Sequence, residues 1–80
     1  MSINDAVASR IIQLLKEKRM TQYRLEQVTG IAHGAMDRIL NSQNRTVTLT
    51  TIYRLATGFG ITPVEFLDCE IFRDSNIELY

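Results

Sequence analysis

Between His33 and Leu40 the apolar residues Met36, Ile39 and Leu40 fall at helical spacing, which leaves His33, Gly34, Asp37 and Arg38 on the outward face. The chemistry on that face is recognition by hydrogen bonds: a guanidinium fork, a carboxylate, an imidazole, and at Gly34 a place with no side chain at all. Catalysis lacks its parts. His33 is the single histidine, Cys69 the single cysteine, and no paired carboxylates stand out, so no enzyme and no cofactor is expected. The same two residues make no metal-ligand set, and Cys69 has no partner for an internal disulfide; it reads as a small, partly buried hydrophobe.

The elements that must hold this face follow from local signals. Thr21 can cap a helix running to Thr29, with Leu25 and Val28 as its main apolar residues. Gly30 can leave that helix with positive φ, and Ile31 returns the chain to the core before the next helix, over about 33–41. Upstream, Asn4 or Ser2 caps a first helix reaching about Lys18, with Val7, Ile11, Leu14 and Leu15 inward. Lys16, Lys18 and Arg19 in its last turn suit the helix dipole at least as well as a binding role. Downstream, a fourth helix follows Thr48, with Leu49, Ile52, Leu55, Ala56 and Phe59 at helical spacing, and stops near Gly58 to Gly60. Thr62, Pro63 and Glu65 then spell a capped fifth helix, whose Phe66 and Leu67 close the core.

Two helices around a tight turn also describe an ordinary helical hairpin. The particular residues narrow the choice. Thr21, Gln22, Leu25, Gly30, Ile31, Met36 and Ile39, the TLTTI stretch from Thr48, and the GITPVEFL stretch from Gly60 sit at matching offsets. On these, roughly residues 5 to 67 resemble the Cro/C1-type helix-turn-helix family of phage repressors and Cro proteins. The resemblance implies an all-α, five-helix repressor-like domain over 1–67, followed by a short tail over 68–80, with 21–29 and 33–41 as the helix-turn-helix.

Five positions depart from the family pattern. Glu26 stands where a small Ala is usual, so its carboxylate must reach solvent or find a partner. Ala32 replaces the Ser or Thr cap of the recognition helix, at a cost of about 1 kcal/mol. Ser42 replaces a frequent Gly, leaving Asn41 or Ser42 to end that helix. Leu15 and Leu40 hold the two places of a common Arg–Glu pair; both are apolar together, which predicts that they meet.

By the resemblance, the partner is double-stranded DNA. The leading edge of the recognition helix, His33, Gly34, Asp37 and Arg38, faces base edges in the major groove. Arg38 is the foremost reader, because its fork matches guanine O6 and N7. Asp37 either accepts from cytosine N4 or orients Arg38, the second being favoured. His33 is a base contact or simply exposed, and Gly34 admits a thymine methyl or marks an unread pair. Gln22, Tyr23 and Arg24 are expected at phosphates, as are Gln43, Asn44 and Arg45 of the acid-free loop Asn41 to Val47.

The formal net charge of zero conceals a division: residues 1–67 carry eight Lys and Arg against five Asp and Glu, a net of +3, while 68–80 carry a net of −3. A body this weakly basic makes a homodimer more necessary for tight binding. Eighty residues, 45% of them hydrophobic, support one small core. No apolar run is long enough to span a membrane and MSINDAV lacks a signal-peptide plan, so a cytoplasmic location is expected. The tail's Ile71, Phe72, Ile77, Leu79 and Tyr80 need cover, from their own domain or from a partner. The leading function is a sequence-specific transcriptional regulator, most simply a repressor. The alternative is an antitoxin-type DNA-binding protein that also holds a protein partner through residues 68–80.

Overall fold

The computed structural model describes residues 1–43 and 46–79. Five α-helices follow in order: α1 (Ile3–Glu17), α2 (Gln22–Thr29), α3 (His33–Leu40), α4 (Leu49–Phe59) and α5 (Pro63–Leu67), then a 3-10 helix (Glu70–Arg73). Side-chain caps start four of the five α-helices. Ser2 and Thr62 form capping boxes with Asp5 and Glu65, and Thr21 and Thr48 each accept from an amide three residues on. Ala32, at the start of α3, provides none.

One cluster forms the core: Val7, Ile11 and Leu14 from α1, Leu25, Ile31, Met36 and Ile39 from the helix-turn-helix, and Ile52, Leu55, Ala56, Phe59 and Phe66 beyond it. Helices α1 and α3 pack together, and Leu15 and Leu40 are both half-buried against this core. Three apolar residues expected inward are not. Val28 is 40% exposed and Leu49 66%, and Leu67 also faces solvent while Phe66 alone closes the core. Leu49 is the first residue of its helix, beyond the reach of the core that Ile52 enters one turn later. Val28 lies on the rim where α2 crosses α4, its methyl close to Gly58 rather than to the core centre.

Helix ends use the left-handed region. Gly30 and Gly60 have φ of +72°, as the sequence suggests, but Arg19 (+51°) and Ser42 (+56°) adopt it too. Beside Arg19, Ser42 and Gly60 the next amide bonds back five residues: Met20 to Leu15, Gln43 to Arg38 and Ile61 to Ala56. That bond satisfies a carbonyl the helix cannot, so α1 and α3 end sharply without glycine. Gly58, inside α4, is needed for proximity: a Cβ there would come within 2.6 Å of Thr29 Cγ2 and 3.3 Å of Leu25 and Val28. The site where α2 crosses α4 is therefore set by a missing side chain.

Arg10 is the buried cation that sequence patterning did not single out. At 8% exposure, it donates from Nε to the Phe66 carbonyl at 2.7 Å and from Nη2 to the Glu65 carbonyl at 2.9 Å. Both carbonyls lie in the last turn of α5, where the Glu65 oxygen also accepts from the Asp68 amide, so Arg10 both caps α5 and ties it to α1. The tail returns to its own domain. Phe72 packs on the core beside Phe66, with ring centroids 6.3 Å apart, and Glu78 pairs with the N-terminal strand-like residues through Ile3 N–H to Glu78 O at 2.7 Å and Glu78 N–H to Met1 O at 2.9 Å. Arg73 adds ion pairs to Asp68 and Glu70. Leu79 remains exposed, and Tyr80 lies outside the described residues.

Candidate nucleic-acid interface

The turn between α2 and α3 is held by one side chain. Thr29 Oγ1 donates to the Leu25 carbonyl at 2.7 Å and accepts from the Ile31 amide at 3.2 Å, bracketing Gly30. Its hydroxyl closes the turn in place of a cap on α3, a role that residue type and position leave ambiguous in the sequence. With Ile31 buried and Met36 and Ile39 inward, α3 turns its other face to solvent: His33, Gly34 and Arg38 are exposed and Asp37 is half-buried.

The side chains on this face are mutually engaged. Gln22 Nε2, from the first turn of α2, donates to Asp37 Oδ1 at 2.8 Å and to Glu26 Oε2 at 2.9 Å. His33 presents Nδ1 to the same Glu26 oxygen at 2.8 Å and Nε2 to Asp37 Oδ2 at 3.3 Å. Since carboxylates only accept, the Gln22 amide must turn its nitrogen toward them. Glu26 thus finds its partners across the α2–α3 angle, with its side chain only 11% exposed. Glu26 and Asp37 both favour the imidazolium, and they hold the His33 pKa above its ordinary value, the Glu26 hydrogen bond contributing most.

This geometry redistributes the expected roles. The expectation that Asp37 orients Arg38 is not met: Asp37 is bonded to Gln22 and His33, across to α2 and back along α3. The Arg38 guanidinium instead lies along the helix beside Gly34, where a Cβ would sit 3.8 Å from Nη1. Among the described residues Arg38 forms no ion pair, so its fork is available to a ligand. Both amide hydrogens of Gln22 are committed, which makes its side chain a strut between α2 and α3; a phosphate there would meet the first-turn backbone amides of α2 instead.

Tyr23 and Arg24 are exposed at the start of α2, the Tyr23 hydroxyl accepting from Gln27 Nε2 at 3.1 Å and Arg24 Nη1 reaching Gln27 Oε1 at 3.5 Å. Gln43 is exposed just after α3, while Asn44 and Arg45 lie outside the described residues. Glu26 and Thr29 brace the α2–α3 arrangement, and sequence reasoning assigned neither a place in the site. For Glu26 the departure from a small residue was the available signal.

Among the described residues no helix is long and apolar enough to cross a membrane, and no cluster of three His, Cys, Asp or Glu could hold a metal. No curated protein and no solved structure matches the chain. A family model does, that of the Cro/C1-type HTH DNA-binding domain, over residues 10–71, which takes in the second half of α1 and all of α2 to α5. By that match, on a fold of five α-helices, the chain belongs to the Cro/C1-type helix-turn-helix DNA-binding family.

Proposed function

We propose that the protein is a sequence-specific transcriptional regulator, most simply a repressor, that enters the major groove with α3 and binds as a homodimer. The observation that carries this reading is the Arg38 fork, exposed on α3 and without an ion-pair partner among the described residues, beside a glycine that leaves the approach open. Arg38 reads guanine. His33 adds a contact through Nε2, whose 3.3 Å approach to Asp37 is the looser of its two and exchanges for a base acceptor. Asp37 is the remaining acceptor on the face, and Gly34 lets a base edge or thymine methyl come close.

Phosphate contacts fall to Gln22 through its backbone, to Tyr23 and Arg24, and to Gln43, Asn44 and Arg45, which follow α3 in the sequence. Dimerisation supports affinity, since the body is only weakly basic. The domain extends over 1–67 with 68–80 as an appended element, and the site of action is the cytoplasm. No catalytic activity and no cofactor enter this reading. Mobility-shift titrations of the wild type and Arg38→Ala on a selected duplex and its scrambled counterpart test it: the variant should lose most of the discrimination between them. Undiminished discrimination would remove Arg38 from the readout.

An antitoxin role is the second reading, supported by Leu79, which stays exposed on a tail otherwise folded back. A small protein of defined sequence co-purifying through residues 68–80 would favour it.

A further inference from the structure

Glu26 puts a carboxylate inside the α2–α3 angle, and Asp37 adds a second on the face presented to the duplex. Two negative charges at a surface that must approach phosphates oppose binding, and the nearest compensation is the imidazole wedged between them. The groups around that ring come from two helices. Helix α2 supplies Glu26 and the neutral amide of Gln22; α3 supplies Asp37, and its Arg38 carries its guanidinium away along the helix beside Gly34. Arg24, the other cation of α2, is turned to Gln27.

We propose, building on the DNA-binding reading, that Glu26 is a positioning residue which holds His33 as an imidazolium at the duplex-facing edge, so that affinity for DNA falls as His33 loses its proton. The trio carries a net charge of −1 with His33 protonated and −2 without. Glu26 and Asp37 accept the two imidazolium N–H groups; the neutral ring keeps one N–H and turns a lone pair toward the other carboxylate, which loosens both His33 and the carboxylate that Gln22 braces. The switch therefore changes charge and geometry together. Because both carboxylates raise the affinity of His33 for its proton, the loss is shifted upward from the ordinary histidine value.

The test needs two readouts on the full chain. The first is fluorescence anisotropy with a labelled mixed-sequence duplex several helical turns long, at constant ionic strength, from about pH 5.5 to about pH 8.5. Affinity should drop about fivefold per protomer across the His33 transition, the weight of one charge in counterion release at physiological salt. His33→Gln should flatten the profile, and Glu26→Gln should move its midpoint to lower pH, a shift that a merely space-filling role for Glu26 would not produce. The second readout, NMR titration of the imidazole without DNA, should show the same downward shift in Glu26→Gln. An equal pH dependence in His33→Gln, or an unmoved midpoint in Glu26→Gln, overturns the proposal. Failure of the wild type to bind the duplex at any pH, while the imidazole titration still responds to Glu26→Gln, overturns the DNA-binding reading itself and with it the pH-dependent affinity.

Discussion

Arg38 and Arg45 separate two kinds of contact that residue type alone does not distinguish. Losing a fork that bonds guanine should relax preference at one base pair by about 1 to 3 kcal/mol, so Arg38→Ala is expected to lose most of its discrimination between selected and scrambled duplexes. Arg45→Ala should instead weaken all duplexes equally and lower the slope of log affinity against log salt by about 1. Residue identities made Arg38 legible in the sequence, because its outward position follows from the helical spacing of Met36 and Ile39. The partners of Gln22, His33 and Asp37 were not, since the angle between two helices decides which side chains meet. His33 also sets a sign for stability. Its folded-state pKa is raised, so its contribution is complete below the unfolded value and is lost as pH rises through the folded one. Urea midpoints of wild type and His33→Gln should therefore differ most at acid pH and converge in alkali. Arg10 has a different task, and Arg10→Ala, which removes two charge-assisted bonds at the end of α5 and leaves the Phe66 carbonyl without its guanidinium donor, should destabilise the fold by about 2 to 3 kcal/mol in urea titration.

The angle between α2 and the rest of the domain depends on Gly58. In an exposed helix interior, Gly→Ala stabilises by about 1 kcal/mol, so the sign of the effect is informative. Here the new methyl meets Thr29, whose hydroxyl is fixed by Leu25 and Ile31 and cannot swing aside without opening the turn. Gly58→Ala is expected to lower stability by about 1 to 3 kcal/mol and to weaken DNA binding together with it, as thermal melts and mobility shifts would show. The helices and their starts were readable because capping residues act locally: Ser2, Thr21, Thr48 and Thr62 all cap as their types suggest. Ends were harder. Arg19 and Ser42 take the left-handed conformation that glycine normally advertises, and the amides that follow them bond back to Leu15 and Arg38 to close the helix ends. Val28 and Leu49 fit the helical period yet remain exposed, because periodicity assigns a face and not the reach of the core behind it.

At the scale of the molecule, the tail and the N-terminus support each other. Phe72 covers Phe66, and Glu78 exchanges backbone bonds with Met1 and Ile3, so Phe72→Ala should cost about 2 kcal/mol of stability, roughly half of what a fully buried phenylalanine would. Composition alone showed that the tail needs cover; which surface provides it depends on where α1 and α5 meet, a long-range fact. The helix-turn-helix was legible because several local requirements coincide within it: a cap at Thr21, a positive-φ glycine at Gly30, and inward residues on both sides. The central claim is that this element, carried by a homodimer, reads sequence. Selection of bound molecules from random DNA duplexes tests it most directly. The account predicts enrichment of a palindromic motif with a guanine in each half-site and half-site centres about one helical turn apart. Bound duplexes that show no common sequence after repeated rounds would contradict it.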